Sequence, residues 1–370
     1  MTTITKIPGL GDYGVFVDGA NLENISIEEW KEVYGKLHLE TLVTIFRGTS
    51  VDPFKFYTLV NSLGPSNNLS PFAFFKKHNQ RLDPSLPNHE AWNKLWKQFL
   101  NREIDISDED YQFITDSENT RASIPNTKVQ RVTGMRNEKG ERIGIFAEGE
   151  LLWHCNESGH LAFTPGVGLL TVQCVEGSST GFNISAPWYE RQTEAFRSEL
   201  DELVCLHHYV PGKMTPGLNE EQNFAFKFNF CPEDNDIPLV IKSPAGIRGL
   251  HYSFSTVDGF KGMSKVESDK LLAKLNAELL ADSNVYDHWY KDDRQDMLLF
   301  DNSITQHRRL GDVSNRLLYR CTSSYSNMLP YQYQPYFQSE YKNKLRKQLD
   351  EVHDILNVNF KPFEEDVQKA

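Results

Sequence analysis

The segment Leu298-Leu299-Phe300-Asp301-Asn302-Ser303-Ile304-Thr305-Gln306-His307-Arg308 limits what this chain can fold into more than any other. An apolar run carries the backbone inward, a polar turn follows, and then comes one imidazole. A return strand, Leu317-Leu318-Tyr319, has an arginine at each end, Arg316 and Arg320. This pattern predicts that His307 and Arg316, nine residues apart, sit on neighbouring strands. A metal-binding group would then lie beside an anion-binding group. A second imidazole, His154, closes the upstream apolar strand Leu151-Leu152-Trp153.

Composition narrows the class. The 370 residues are enough to bury an ordinary core, and 39% hydrophobic with 12% aromatic residues marks a globular chain. A net charge of −12 disfavours nucleic acid as a partner, because neutralising phosphates needs clustered Lys and Arg. No apolar run approaches the ~20 residues that span a bilayer. Met1 to Pro8 lacks a signal-peptide apolar core, so the expectation is a cytoplasmic protein without a membrane partner. The five cysteines, Cys155, Cys174, Cys205, Cys231 and Cys321, are scattered without C-x-x-C spacing, which indicates neither a zinc knot nor a disulfide framework.

Along the chain, Tyr13 to Val17 reads as a strand and Ser26 caps a helix reaching about Leu37. Leu42 to Phe46 is a buried strand. Asp52-Pro53 opens a helix that Gly64-Pro65 stops. Residues 66–125 are polar and read as an insertion or lid, with helical spacing of Trp92, Leu95, Trp96 and Phe99. Short strands dominate from Val129 to Phe182, and Glu190 to Leu206 reads as a helix. The stripe Phe224 to Phe230 has strand periodicity and reads as core. His207-His208 are adjacent on an extended segment and diverge, so a shared metal is not expected. Ser264 with Glu267 forms a capping box for a helix to Leu280. Residues 326–370 read as a C-terminal helical extension of a 1–325 domain. The whole is mainly β with flanking helices.

The chemistry follows from strand geometry. Non-haem Fe(II) oxygenases use two imidazoles and a carboxylate on one face of the metal. A His-x-Asp or His-x-Glu at a strand end supplies two of these, since residues i and i+2 face the same side. His154 is placed for the proximal role and His307 for the distal one.

With these residues in view, Gly149 to Glu157 resembles the "WHTD" segment of the taurine dioxygenase/TfdA-like family of Fe(II)- and 2-oxoglutarate-dependent oxygenases. Asp301 to Arg308 is similar to that family's "WDNRxTxHR" segment, and Asn315 to Arg320 to its closing arginine-bearing strand. Weaker signals, Asp18 to Leu22, Phe46-Arg47-Gly48 and Leu63-Gly64, fall in the family's order, and the resemblance covers about residues 13 to 325. It implies a double-stranded β-helix, the jelly roll of cupin-like proteins. It also implies Fe(II) at His154 and His307, and Arg316 on the far carboxylate of 2-oxoglutarate with Thr180 as a second contact. Arg320 would serve a small, anionic substrate. Molecular oxygen is the co-reactant, and the oligomeric state is left open, a homo-oligomer included.

The departure is at residue 156. The family's carboxylate ligand falls two residues after the first His, where this chain has Asn156. Three readings stay open. Glu157 takes the metal-ligand role through a bulge; an exogenous ligand such as halide fills the position, as in halogenases; or the chain is a weakly metal-binding or non-catalytic homologue acting as a scaffold. The charge argument favours Glu157 over Asn156 as the acidic neighbour of the metal, because Fe(II) with two neutral imidazoles otherwise lacks a protein anion.

Overall fold

The computed structural model describes residues 2–65, 78–81, 83, 85–86, 94–95, 97–115, 122–125, 127–147, 151–161, 163–173, 177–208, 236–254, 256–329 and 333–356. The stripe Phe224 to Phe230 and residues Trp92 and Trp96 lie outside them. The strands are β1 (Thr3–Lys6), β2 (Gly14–Asp18), β3 (Val43–Arg47), β4 (Gln130–Val132), β5 (Leu151–His154), β6 (Gly166–Gln173), β7 (Ser178–Ile184) and β8 (Val204–His207). They continue with β9 (Ile237–Pro238), β10 (Val240–Lys242), β11 (Arg248–Leu250), β12 (Val257–Phe260), β13 (Val285–Trp289), β14 (Asp296–Asp301), β15 (Thr305–Gly311) and β16 (Leu317–Ser323).

Two sheets carry the core. The larger has the order β1-β2-β3-β14-β6-β16-β4 and the smaller the order β13-β7-β15-β5. Phe182 of β7 and Phe300 of β14 meet between them at 5.3 Å, within one hydrophobic cluster fed by both sheets. Two lesser sheets, β12-β8-β9 and β10-β11, complete the strands. The result is mainly β with flanking helices, as expected.

The flanking helices follow their local signals. Asp52 accepts from the backbone N–H groups of Phe54 and Lys55 at 2.7 and 2.8 Å, and Pro53 occupies the first turn. The helix Pro53–Leu63 then buries Phe56, Leu59, Val60 and Leu63 against β16 and β6. The capping box of Ser264 and Glu267 opens the helix Lys265–Leu279. The helix Ser339–Leu356 belongs to the C-terminal extension, and Tyr336, Tyr341 and Leu345 join the same cluster as the two sheets.

Two expectations change. Glu190 to Leu206 is not one helix but Ala186–Glu190, Glu194–Asp201 and strand β8. Thr193 caps a new helix by accepting from Phe196, and the chain beyond it pairs antiparallel with β12. His307 and Arg316 are also not on neighbouring strands. β15 belongs to the smaller sheet and pairs with β7 and β5, whereas β16 belongs to the larger and pairs with β6 and β4. The chain changes sheets between them, so the two residues approach across the core.

Three buried histidines load the fold with a pH dependence. Burial pushes His38 and His207 down to about 3 and His251 down to about 4. Their rings hydrogen-bond as neutral groups, His38 to Tyr325 at 2.6 Å, His207 to Thr256 at 3.1 Å and His251 to the Ser303 carbonyl at 2.7 Å. A base whose folded pKa is depressed binds fewer protons in the native state. Stability is therefore full above the unfolded value of roughly 6.5 and falls as pH drops toward the folded values, by about 1.4 kcal/mol per group per pH unit. The urea midpoint should be clearly lower at pH 5.5 than at pH 7.5. An unchanged midpoint would show that these rings are not neutral and buried.

Candidate active site

His154 ends β5 and His307 lies in the interior of β15, and the register pairs them directly. Their ring centroids are 4.1 Å apart, and the residues are 3% and 9% exposed. His154 Nδ1 lies 2.6 Å from the carbonyl of Leu152, a bond it makes as donor. That tautomer leaves Nε2 as a lone-pair donor. Burial, and then the Arg320 and Arg309 charges, hold His154 down at about 4 against its bond to Leu152. His307 is pushed well below its ordinary value by burial, by His154 and by Arg320. Both imidazoles are thus neutral at ordinary pH, the form that binds a metal.

The pair opens on a cavity of about 50 Å³ between the sheets, room for a few waters. Val167, Leu169, Phe300 and Leu318 of the larger sheet form an apolar wall. The polar lining includes His154, Asn156, Thr180, His307, Arg309, Arg316 and Arg320. Six of the seven residues singled out from the sequence therefore meet around one pocket. The seventh, Glu157, is not among its lining residues. Glu157 has φ +60°, and its carboxylate accepts from the backbone N–H of Thr164 at 2.7 Å. Burial raises its pKa, while the Thr164 N–H and the Arg320 charge pull it back.

Arg316 is 2% exposed and lies 6.0 Å from the ring centre of Tyr290. The hydroxyls of Tyr290 and Thr180 are 2.6 Å apart. Arg320 donates to Gln130 at 3.1 Å.

Sequence reasoning missed three members of this surround. Arg309 is two residues beyond His307 and shares its strand face, a signal that was available. Tyr290 follows β13 and has no local signal. The third is Asn302, whose amide acts as a clamp. Its Oδ1 accepts from the N–H of Asn156 at 2.7 Å, and its Nδ2 donates to the carbonyls of Asn156 and Thr164 at 2.9 and 3.0 Å. The loop bearing Asn156 and Glu157 is thereby tied to the β14–β15 turn. Asp301 builds that turn by accepting from the N–H groups of Ser303 and Ile304 at 2.9 and 3.0 Å.

The profile of the taurine catabolism dioxygenase TauD, TfdA family matches residues 6–322. The chain belongs to this family. Enzymes of the TauD family use Fe(II) and 2-oxoglutarate. Among solved structures, AAD-2 in complex with Mn(II) and N-oxalylglycine is similar, with a TM-score of 0.59 and 19% identity over 87% of this chain and 96% of that one. A taurine dioxygenase from Burkholderia xenovorans has a TM-score of 0.54 and 15% identity over 87% and 88%. These likenesses establish the jelly-roll fold of the TauD-like dioxygenases. No curated protein matches the sequence. Among the described residues no helix is long and apolar enough to cross a membrane.

The residues present fit a divalent metal through two imidazoles. His307 Nδ1 is buried and, among the described residues, meets no hydrogen-bond partner. Also among the described residues, no group of three or more His, Cys, Asp or Glu is arranged to hold a metal. The third protein position facing the pair is the neutral amide of Asn156.

The clamp makes a prediction of its own. Asn302→Ala leaves the N–H and carbonyl of Asn156 unsatisfied in a half-buried loop and should cost about 3 kcal/mol in urea unfolding. A loss under about 0.5 kcal/mol, near the limit for a neutral surface change, would show that the loop holds itself.

Proposed function

We propose that this chain is a non-haem Fe(II)- and 2-oxoglutarate-dependent oxygenase acting on a small molecule. The observation that carries the reading is the His154–His307 pair, 4.1 Å between ring centres, in the same pocket as Arg316 and Thr180. His154 and His307 would hold the metal. With 2-oxoglutarate and molecular oxygen, bound iron supplies oxidative decarboxylation to succinate coupled to oxidation of a substrate C–H bond.

The chain's own residues do the binding and orienting. Arg316 grips the far carboxylate of 2-oxoglutarate, because a planar guanidinium fork matches a carboxylate in two bonds. The Thr180 and Tyr290 hydroxyls add donors beside it. Arg320 orients a substrate through an anionic group. Phe300, Leu169 and Val167 exclude water from the reacting centre, which strengthens each of these charged contacts. A five-carbon dianion needs more room than the 50 Å³ cavity, so its admission moves the lining outward. Arg316 and Arg320 are long members of that lining. Glu157, engaged at Thr164, anchors the loop and offsets Arg320.

Succinate release from 2-oxoglutarate under air with Fe(II) tests the reading, and failure to bind 2-oxoglutarate at millimolar concentration would overturn it. Arg316→Lys keeps the charge but loses the fork. It should raise the KM for 2-oxoglutarate by about tenfold, and Arg316→Met by about 100-fold, within the range for truncating a buried charge partner. Equal KM values in all three proteins would remove Arg316 from this role.

A further inference from the structure

The pocket of the proposed oxygenase has a charge problem. Around the imidazole pair lie the guanidiniums of Arg309, Arg316 and Arg320. Arg308 also borders it but is paired with Asp287 at 2.7 Å. Among the described residues no carboxylate lines this pocket. Glu157 lies close enough to Arg320 to offset part of its charge, but its oxygen is spent on the Thr164 N–H. The residue facing the pair is Asn156, which carries no charge, and the Asn302 clamp fixes its backbone at both N–H and carbonyl. A bare divalent cation arriving here meets two neutral donors and a surplus of positive charge, in surroundings of low dielectric where both matter more than in water.

From this arrangement, and resting on the oxygenase reading, we infer that the protein takes up its metal together with the dianionic cosubstrate: 2-oxoglutarate supplies the negative charge that the protein's own third position lacks. The dianion neutralises the cation and answers Arg316 at once, so each ligand removes the obstacle to the other. Linkage makes the effect reciprocal, so metal strengthens cosubstrate binding by the same factor. The consequence is a loading control. At low 2-oxoglutarate the protein is metal-free, and it charges with metal when the cosubstrate rises.

The test uses Mn(II), whose free ion is counted by electron paramagnetic resonance, and N-oxalylglycine as a non-reacting dianion. Neither readout depends on turnover. Saturating N-oxalylglycine should tighten Mn(II) binding at least 10-fold and up to about 150-fold. Mn(II) should tighten N-oxalylglycine by the same factor. Asn156→Asp, which changes charge with almost no change in shape, should strengthen binding of Mn(II) alone and shrink the coupling. Equal Mn(II) affinity with and without N-oxalylglycine overturns the inference and leaves the oxygenase reading standing. An Asn156→Asp protein that gains no affinity for Mn(II) alone also overturns it. If Mn(II) fails to bind even with N-oxalylglycine present, the oxygenase reading itself falls.

Discussion

The register of β15 is the constraint on which the site depends. Seven consecutive residue pairs tie it to β7, from Thr305 opposite Ile184 to Gly311 opposite Ser178. Side chains alternate across a strand, so a slip by one residue would turn His307 out of the core and bring Arg308 in. The register is pinned from both faces. Within the core, His307 sits opposite Phe182 on one side and His154 on the other. On β7, Gly181 lies between Arg308 and Asp287 in register, and a Cβ there would fall 2.3 Å from the Asp287 carboxylate. The missing side chain is what lets the ion pair cross the strand. Arg308 also lies over the Trp153 ring at 4.5 Å, which binds β5 into the same set.

Below this register sits the turn that starts it. Asp301 caps the reversal and Asn302 reaches across to the loop after β5, so one dipeptide fixes both where β15 begins and where Asn156 stands. Tyr333, from the C-terminal extension, donates to the Ser303 hydroxyl at 2.8 Å. The extension is therefore joined to the active-site turn through side chains far apart in sequence.

How much of this was legible depended on whether the signal was local. His154 and His307 each close or occupy an apolar strand beside a recognisable turn, and their types and spacing mark them without any knowledge of contacts. The helix caps at Ser26, Asp52 and Ser264 are equally local, and each is present. The sheet change between His307 and Arg316 was not legible, because a short polar link between two strands reads the same whether it makes a hairpin or a crossover. Tyr290 was invisible for a related reason: it reaches Thr180 at a sequence distance of 110 residues. The false helix at Glu190 to Leu206 came from summing propensity across Thr193, a residue that starts helices more readily than it sits inside them.

Adjacency misled most at residue 157. From the sequence, Glu157 is the nearest acid to the proximal imidazole, and a charge argument alone assigns it to the metal. Two local facts oppose that. Neighbouring residues on an extended chain face opposite ways, and at Glu157 the backbone turns into the left-handed region, which carries its side chain toward Thr164. The carboxylate then gains a backbone donor and a nearby guanidinium, a better setting for a half-buried charge than an apolar wall. Position 156 is left as the one that faces the imidazoles, and its amide can offer a lone pair but no charge. The chain as a whole carries −12, yet the lining of this pocket is cationic. Such local inversion concentrates field where the chain is most enclosed and least screened by salt. It selects for anions before any side chain makes a specific contact, and it leaves the anion, rather than the protein, to balance a bound dication.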